Sequence, residues 1–293
     1  MRLAAFMKDG EAGWGIVSGS GAAARVHDLS ALDGMPRDIA ALLARGPDGL
    51  AAVRASADNA PVLDPGSVRL TAPVPRPGKA LAIGLNYRAH VEETGREVSP
   101  HQIWFSKQRT CITGPFDPIH KPAASDMVDY EGELVAVIGR RCRHVPAARA
   151  LEVIAGYMVG NDVSVRDWQR RTPTMMMGKG FDTHGPTGPW IVTADEIADP
   201  QALTITTWVN GEVRQRGSTG DMIHPLAAQI EHLTTAFTLE PGDLIFTGTP
   251  EGVGVAMEPP SFLKDGDVVR IAISQIGEIE NPVANETAQT VIV

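Results

Sequence analysis

The sequence predicts a mixed α+β protein in which strands dominate, and three observations lead there. Short runs rich in β-branched residues, closed by Gly, Pro, Asn or Asp, recur after residue 78. Helical periodicity is confined to a few segments. Strands and helices also fail to alternate in the regular order that a doubly wound parallel sheet requires.

Taken in order, residues 1 to about 70 stand apart from the rest. Gly21 to Pro61 is alanine-rich, and Ile39, Leu42 and Leu43 lie at helical spacing. Thr71 to Gly78 carries prolines at 73, 75 and 77, which favour an extended connector and break any helix. The boundary therefore falls here, between a small N-terminal domain (1–72) and a main domain (73–293). In the main domain Ala80–Gly84, Leu134–Gly139, Thr204–Val209, Asp243–Phe246 and Val268–Ile273 read as strands. Asn210-Gly211 is a hairpin turn, since both positions of a two-residue loop need φ > 0. Pro146 to Ile154 and Pro225 to Phe237 read as helices. In the second, Leu226, Ile230, Leu233 and Phe237 make the apolar stripe.

Composition narrows the function. The 293 residues are 43% hydrophobic and 21% charged, with a net charge of −9, so disorder is excluded and no broad basic surface exists for nucleic acid or an anionic membrane. Two cysteines, Cys111 and Cys142, cannot form a disulfide framework or a zinc ribbon. No run approaches the roughly 18 apolar residues of a membrane span, and the start lacks a secretory core, so a cytoplasmic location is expected. GxSxG, HExxH, GxxxxGK[ST] and complete GxGxxG patterns are all missing.

Five segments carry chemistry. On a strand through Asp129–Ile138, Glu131 and Glu133 share a face with Val135 and Val137, while Leu134, Ala136 and Ile138 line the other. Two like charges beside an apolar interior need a raised pKa or a cation between them, and oxygen ligands suit Mg²⁺, Mn²⁺ or Ca²⁺. The same pair equally fits a strand end open to water. Asp162 reads as the N-cap of a helix, with Arg166 at i+4 and Gln169 at i+7 on one face. That face suits a cation next to a bound carboxylate, but by itself it reads more simply as a cap plus a surface ion pair worth under ~1 kcal/mol. In a short helix, His90 and Glu93 are i,i+3 neighbours, a candidate general base oriented by an acid, though such pairs are also common on surfaces. Lys179, between Gly178 and Gly180, is either an oxyanion-stabilising cation or an exposed turn lysine. The loop Phe246–Gly254 could hold a carboxylate on its amides and Thr hydroxyls, or simply turn the chain.

The segments GLNYRAH (84–90), VDYEGELVAVIGR (128–140), AGYMVGNDVSVRDWQ (155–169), GKGFDTHGPTGPW (178–190), VNGEVRQ (209–215), LEPGDLIFTGTPEGVG (239–254) and LKDGDVVRI (263–271) together resemble the fumarylacetoacetate hydrolase family, in family order over roughly residues 78–293. The resemblance implies a mixed β-sandwich roll for the catalytic domain, preceded by a small N-terminal domain, in a homodimer. It implies a divalent metal, generally Mg²⁺, on Glu131, Glu133 and Asp162. By position His90 and Glu93 match its water-activating dyad and Lys179 its oxyanion lysine. Arg166, Gln169 and Thr249 match substrate-anchoring positions. Met175-Met176-Met177 departs from the pattern and suggests an apolar wall beside the substrate tail.

The implied activity is metal-dependent hydrolysis of a C–C bond in a 2,4-dioxo acid of the acylpyruvate type. Isomerisation, decarboxylation and hydration of enolisable 2-oxo acids share the same acidic triad and stay open. A non-catalytic protein that binds 2-oxo acids is the reading from another class.

Overall fold

The computed structural model describes residues 1–292. Two sheets pack face to face, as the strand-rich reading expects. The larger has twelve strands. Its main path runs Val62–Leu63, Arg25–Asp28, Glu11–Ser18, Arg2–Lys8, Gly185–Thr193, Ile154–Asn161, Gly132–Ile138, Leu244–Phe246, Ala80–Gly84, Ile103–Lys107. The smaller has five, in the order Glu212–Ser218, Thr204–Val209, Val268–Ile273, Gly277–Asn285, Ile119–Lys121. Six α-helices accompany them: α1 (Ile39–Leu43), α2 (Gly46–Ser56), α3 (Arg88–Glu93), α4 (Arg166–Gln169), α5 (Met176–Lys179) and α6 (Leu226–Ala236). None is long and apolar enough to cross a membrane.

Period-two alternation divides the core. Leu134, Ala136 and Ile138 point into a cluster shared with Ile205, Val269 and Ile271 of the smaller sheet and with Leu226, Ile230 and Leu233 of α6. Val135 and Val137 point the opposite way, into a second cluster with Leu244, Phe246, Leu3, Trp14 and the α1 residues Ile39, Leu42 and Leu43. Both faces of the central strands are therefore covered, which explains why they read as nearly continuous apolar runs.

The N-terminal strands continue the same large sheet. Arg2–Lys8 pairs with Gly185–Thr193, and Arg69–Thr71 folds back onto Arg2–Lys8 just before the proline connector. The hairpin at Asn210-Gly211 forms as expected, with φ of 53° and 82°. Pro146–Ile154 forms a 3₁₀ run over Ala147–Val153 rather than an α-helix. The expected helix cap at Asp162 is also not formed. Asp162 follows the Ile154–Asn161 strand, and the short strand Ser164–Val165 comes before α4 begins at Arg166. A β-type pairing of Ser164–Val165 with Val128–Asp129 takes up the backbone that a longer helix would have used.

Candidate metal centre and active site

The site lies where two adjacent antiparallel strands end. Gly132 pairs with Asn161 and Glu133 with Gly160. Beyond the ladder, the Glu131 N–H donates to Asn161 Oδ1 (3.0 Å) and the Asp162 N–H donates to the Glu131 carbonyl (2.9 Å). These bonds bring Glu131, Glu133 and Asp162 together, each with a carboxylate oxygen within 4.8 Å of the others, and all three are buried. The reading of Glu131 and Glu133 as a solvent-exposed strand end is thereby excluded.

Three cations meet this cluster. Lys179 Nζ donates to Glu131 Oε2 (2.5 Å) and Asp162 Oδ2 (2.7 Å). Lys107 Nζ donates to Asp162 Oδ1 (2.6 Å) and to the Lys179 carbonyl (2.6 Å). Arg166 donates through Nη1 to Glu131 Oε1 (2.6 Å) and through Nε to Asp129 Oδ2 (2.8 Å). Four carboxylates thus face three cations, and Glu133 is the one left without an ion pair. Among the described residues its sole hydrogen-bond donor is the Gly248 N–H at 2.8 Å. Burial, with Asp162 and Glu131 adding to it, holds the Glu133 carboxyl well above the usual range. Burial alone would raise Glu131 as well, but Lys179 and Arg166 outweigh it and bring that group down to about 2. A buried, oxygen-only donor set one positive charge short fits a hard divalent cation.

Lys179 is buried, which excludes the alternative of an exposed turn lysine. It closes α5, and Gly178 serves packing: a Cβ there would come within 2.3–2.6 Å of Gln169, so its absence lets α5 lie directly on α4. α4 gathers Arg166 and Gln169 despite the missing cap. Gln169 Oε1 accepts from Arg166 Nη1 (3.1 Å), and the buried Arg166 Nη2 has no partner among the described residues.

Across the cavity, α3 presents His90 with Nδ1 2.6 Å from Glu93 Oε1, the expected i,i+3 contact. An ionised carboxylate can only accept, so Nδ1 carries a proton, and in the neutral ring the lone pair is then on Nε2. The loop Phe246–Gly254 does hold carboxylates on its amides, but they belong to the protein. Gly248 N–H binds Glu133, Gly252 N–H binds Glu93 (2.8 Å), and Gly254 N–H binds Asp129 (2.8 Å). Thr249 lines the cavity too, with its hydroxyl donating to the Gly132 carbonyl (3.0 Å) and accepting from Gln215 Nε2 (2.8 Å). One hydroxyl hydrogen serves one acceptor, so Thr249 Oγ1 has none left for a bound carboxylate.

His90, Glu93, Glu131, Glu133, Arg166, Gln169, Lys179 and Thr249 all line one cavity of about 690 Å³, which Asp162 underlies through its bonds to both lysines. The apolar wall expected of the three methionines is reduced to Met175. Met176 and Met177 are 39% and 52% exposed and do not line the cavity. Two participants escaped the sequence reading. Lys107 shares strand parity with Ile103 and Phe105, a signal that could have marked it as inward-facing. Asp129 shares parity with Glu131 and Glu133, and it also accepts from the Tyr130 and Val255 N–H groups.

The model of the fumarylacetoacetate hydrolase C-terminal region matches residues 79–284. A Bos taurus protein named oxaloacetate tautomerase FAHD2A, mitochondrial, is 43% identical over 289 residues, 97% of this chain and 91% of that one. Among solved structures, a fumarylacetoacetate hydrolase from Exiguobacterium antarcticum superposes with a TM-score of 0.87 at 36% identity, covering 98% of this chain and 100% of that one. A maleylpyruvate hydrolase from Sphingobium sp. SYK-6, in complex with manganese(II) and pyruvate, gives 0.81 at 32% identity over 97% and 99% of the two chains.

Proposed function

The chain belongs to the fumarylacetoacetate hydrolase family, and from that premise we propose that it enolises a 2-oxo acid, moving a proton between C3 and the 2-oxo oxygen. One observation carries the reading: His90, its Nδ1 held by Glu93, lines the same cavity as the three-carboxylate cluster. A base at one end and a cation site at the other are what a keto–enol shift needs.

In this reading His90 Nε2 takes the C3 proton and then returns it to the 2-oxo oxygen, while Glu93 holds the ring in that tautomer and stabilises the imidazolium formed in between. Arg166 offers its unpartnered Nη2 to the substrate carboxylate, supported by Gln169. Lys179, with two of its three N–H groups committed to Glu131 and Asp162, has one left for the developing enolate oxygen. When bound, a divalent cation on Glu131, Glu133 and Asp162 supplies Lewis acidity to the 2-oxo group. Mg²⁺ is the proposed ion, and the Sphingobium relative was solved with Mn²⁺.

C–C hydrolysis of a 2,4-dioxo acid is the second reading. It uses the same enolate, with His90 activating water against the distal carbonyl. The size of the cavity favours it, since about 690 Å³ lies well inside the range for drug-sized ligands and exceeds the need of a four-carbon acid. Proton NMR in D₂O with Mg²⁺ separates the two. Exchange at C3 of oxaloacetate without release of pyruvate from an acylpyruvate supports tautomerisation. Release of pyruvate supports hydrolysis, and neither event would overturn both readings.

A further inference from the structure

We infer that Lys107 is a positioning residue for metal selection: by holding one oxygen of Asp162 from behind, it limits that carboxylate to one-oxygen ligation and makes the centre favour Mg²⁺ over Ca²⁺. The inference rests on the function proposed above, which reads Glu131, Glu133 and Asp162 as the seat of a divalent cation.

Each of these three carboxylates has one oxygen held by a donor. Asp162 Oδ1 accepts from Lys107 Nζ (2.6 Å), Glu131 Oε1 from Arg166 Nη1 (2.6 Å), and Glu133 Oε2 from the Gly248 N–H (2.8 Å). The other oxygens of Asp162 and Glu131 both meet Lys179 Nζ, so they turn towards a common point. A carboxylate oxygen has two lone pairs, so one that accepts from Lys179 can still bind a cation. The cluster therefore offers one oxygen per acid. Ca²⁺ takes about six to eight oxygens at about 2.3–2.6 Å and often uses both oxygens of a carboxylate, whereas Mg²⁺ keeps a near-octahedral shell at about 2.0–2.1 Å and retains waters. Three one-oxygen acids match the smaller ion.

Lys107 is the clamp least able to yield. Its side chain is 0% exposed, and it ends the strand Ile103–Lys107, whose ladder pairs it with Ala80. It also donates to the Lys179 carbonyl (2.6 Å), and its ammonium lies 5.8 Å from the Phe246 ring centroid. A buried ammonium cannot leave its carboxylate without losing its partner where no water replaces it. An aspartate is short, so fixing Oδ1 also fixes where Oδ2 points. Arg166, by contrast, is shared with Asp129 and Gln169. Lys107 does not line the cavity, so replacing it alters Asp162 without removing a substrate contact.

The test is calorimetric titration of MgCl₂ and CaCl₂ into the EDTA-stripped full chain, unaltered and as Lys107→Met, a side chain of similar length without charge. The unaltered protein should bind Mg²⁺ at least as tightly as Ca²⁺. In Lys107→Met, Asp162 can turn both oxygens to the ion. The preference should then move towards Ca²⁺ by on the order of 10- to 100-fold, the usual reach of a residue behind a metal ligand. Losing a buried cation strengthens attraction for both ions, and a loosened fold weakens both, so the ratio of affinities reads the mode of ligation. Infrared difference spectra examine the unaltered protein without any variant, because the gap between antisymmetric and symmetric carboxylate stretches is wider for one-oxygen than for two-oxygen ligation. A narrow gap with Mg²⁺, tighter Ca²⁺ binding by the unaltered protein, or an unchanged ratio in Lys107→Met would overturn the inference and leave the proposed function standing. Binding of neither ion by the unaltered protein would overturn the metal centre and the inference together.

Discussion

The carboxylate of Glu93 joins His90 to the backbone N–H of Gly252, a residue 159 positions away in the chain. Both of its oxygens are used, one to set the imidazole tautomer and one to dock α3 on the late loop. Glu93→Gln should invert the arrangement. Its carbonyl oxygen can still accept from Gly252, but its amide would then donate to Nδ1 and move the ring proton to Nε2, where the base must act. The expected loss in kcat is about 10²- to 10⁴-fold with little change in melting temperature. The variant's pH–rate profile and the imidazole tautomer seen by ¹⁵N NMR check it.

Glu131 ties Lys179 and Arg166 together as well as belonging to the acidic cluster. In Glu131→Ala, turnover that depends on added Mg²⁺ should vanish. The melting temperature should also stop rising with Mg²⁺, whereas the unaltered protein should gain several degrees at a hundred times Kd. Differential scanning calorimetry with and without EDTA reads this independently of activity. Full activity in EDTA would sink the metal reading.

Asp129 accepts four hydrogen bonds, from Tyr130, Gly254 and Val255 N–H and from Arg166 Nε. Asparagine can accept at only one oxygen, and its amide would face donors. Asp129→Asn should therefore cost about 3–5 kcal/mol, the usual penalty for breaking a buried pair, and raise KM for 2-oxo acids more than it lowers kcat. Urea denaturation and steady-state kinetics measure the two effects.

His184 is fully buried, and burial brings its pKa down from 6.5 to about 4. Its Nε2 donates to the His120 carbonyl at 2.9 Å, and Nδ1 has no partner among the described residues, so a second ring proton would find no acceptor. The fold thus prefers the neutral ring. This contribution is whole above pH 6.5 and is lost as pH falls towards 4, because the unfolded chain takes up a proton that the folded one refuses. Lowering the pKa from 6.5 to about 4 corresponds to about 3 kcal/mol. His184→Gln keeps a donor for His120 and cannot titrate, so its stability should fall less steeply than that of the unaltered protein across this window.

Local patterns were legible in the sequence because they rest on neighbours. Glu131 and Glu133 share a face by strand parity, His90 meets Glu93 within one helical turn, and Asn210-Gly211 turns as a two-residue loop must. Placement that depends on partners far along the chain is not legible in this way. Asp162 joins the cluster through the ladder between Gly132–Ile138 and Ile154–Asn161, and not through a helix face. The loop Phe246–Gly254 reads as a carboxylate holder, but nothing local shows that Glu133, Glu93 and Asp129 occupy the amides of Gly248, Gly252 and Gly254. Lys107 gives no local signal of its role, because a lysine ending a strand is ordinarily solvated and only the assembled cluster shows the charge that draws it inward.

The unbroken large sheet has a consequence for how this protein can be divided. Cutting the chain at the proline connector would remove Arg2–Lys8 from Gly185–Thr193 and expose a stretch of main-chain edge around Ile191 and Val192. The same cut would strip Leu3, Trp14, Ile39, Leu42 and Leu43 from the cluster that covers Val135, Val137 and Leu244. A fragment carrying every residue of the candidate site would then offer neighbouring molecules both a sticky strand edge and a bare oily face. Its expected fate on expression is aggregation, not a smaller working enzyme.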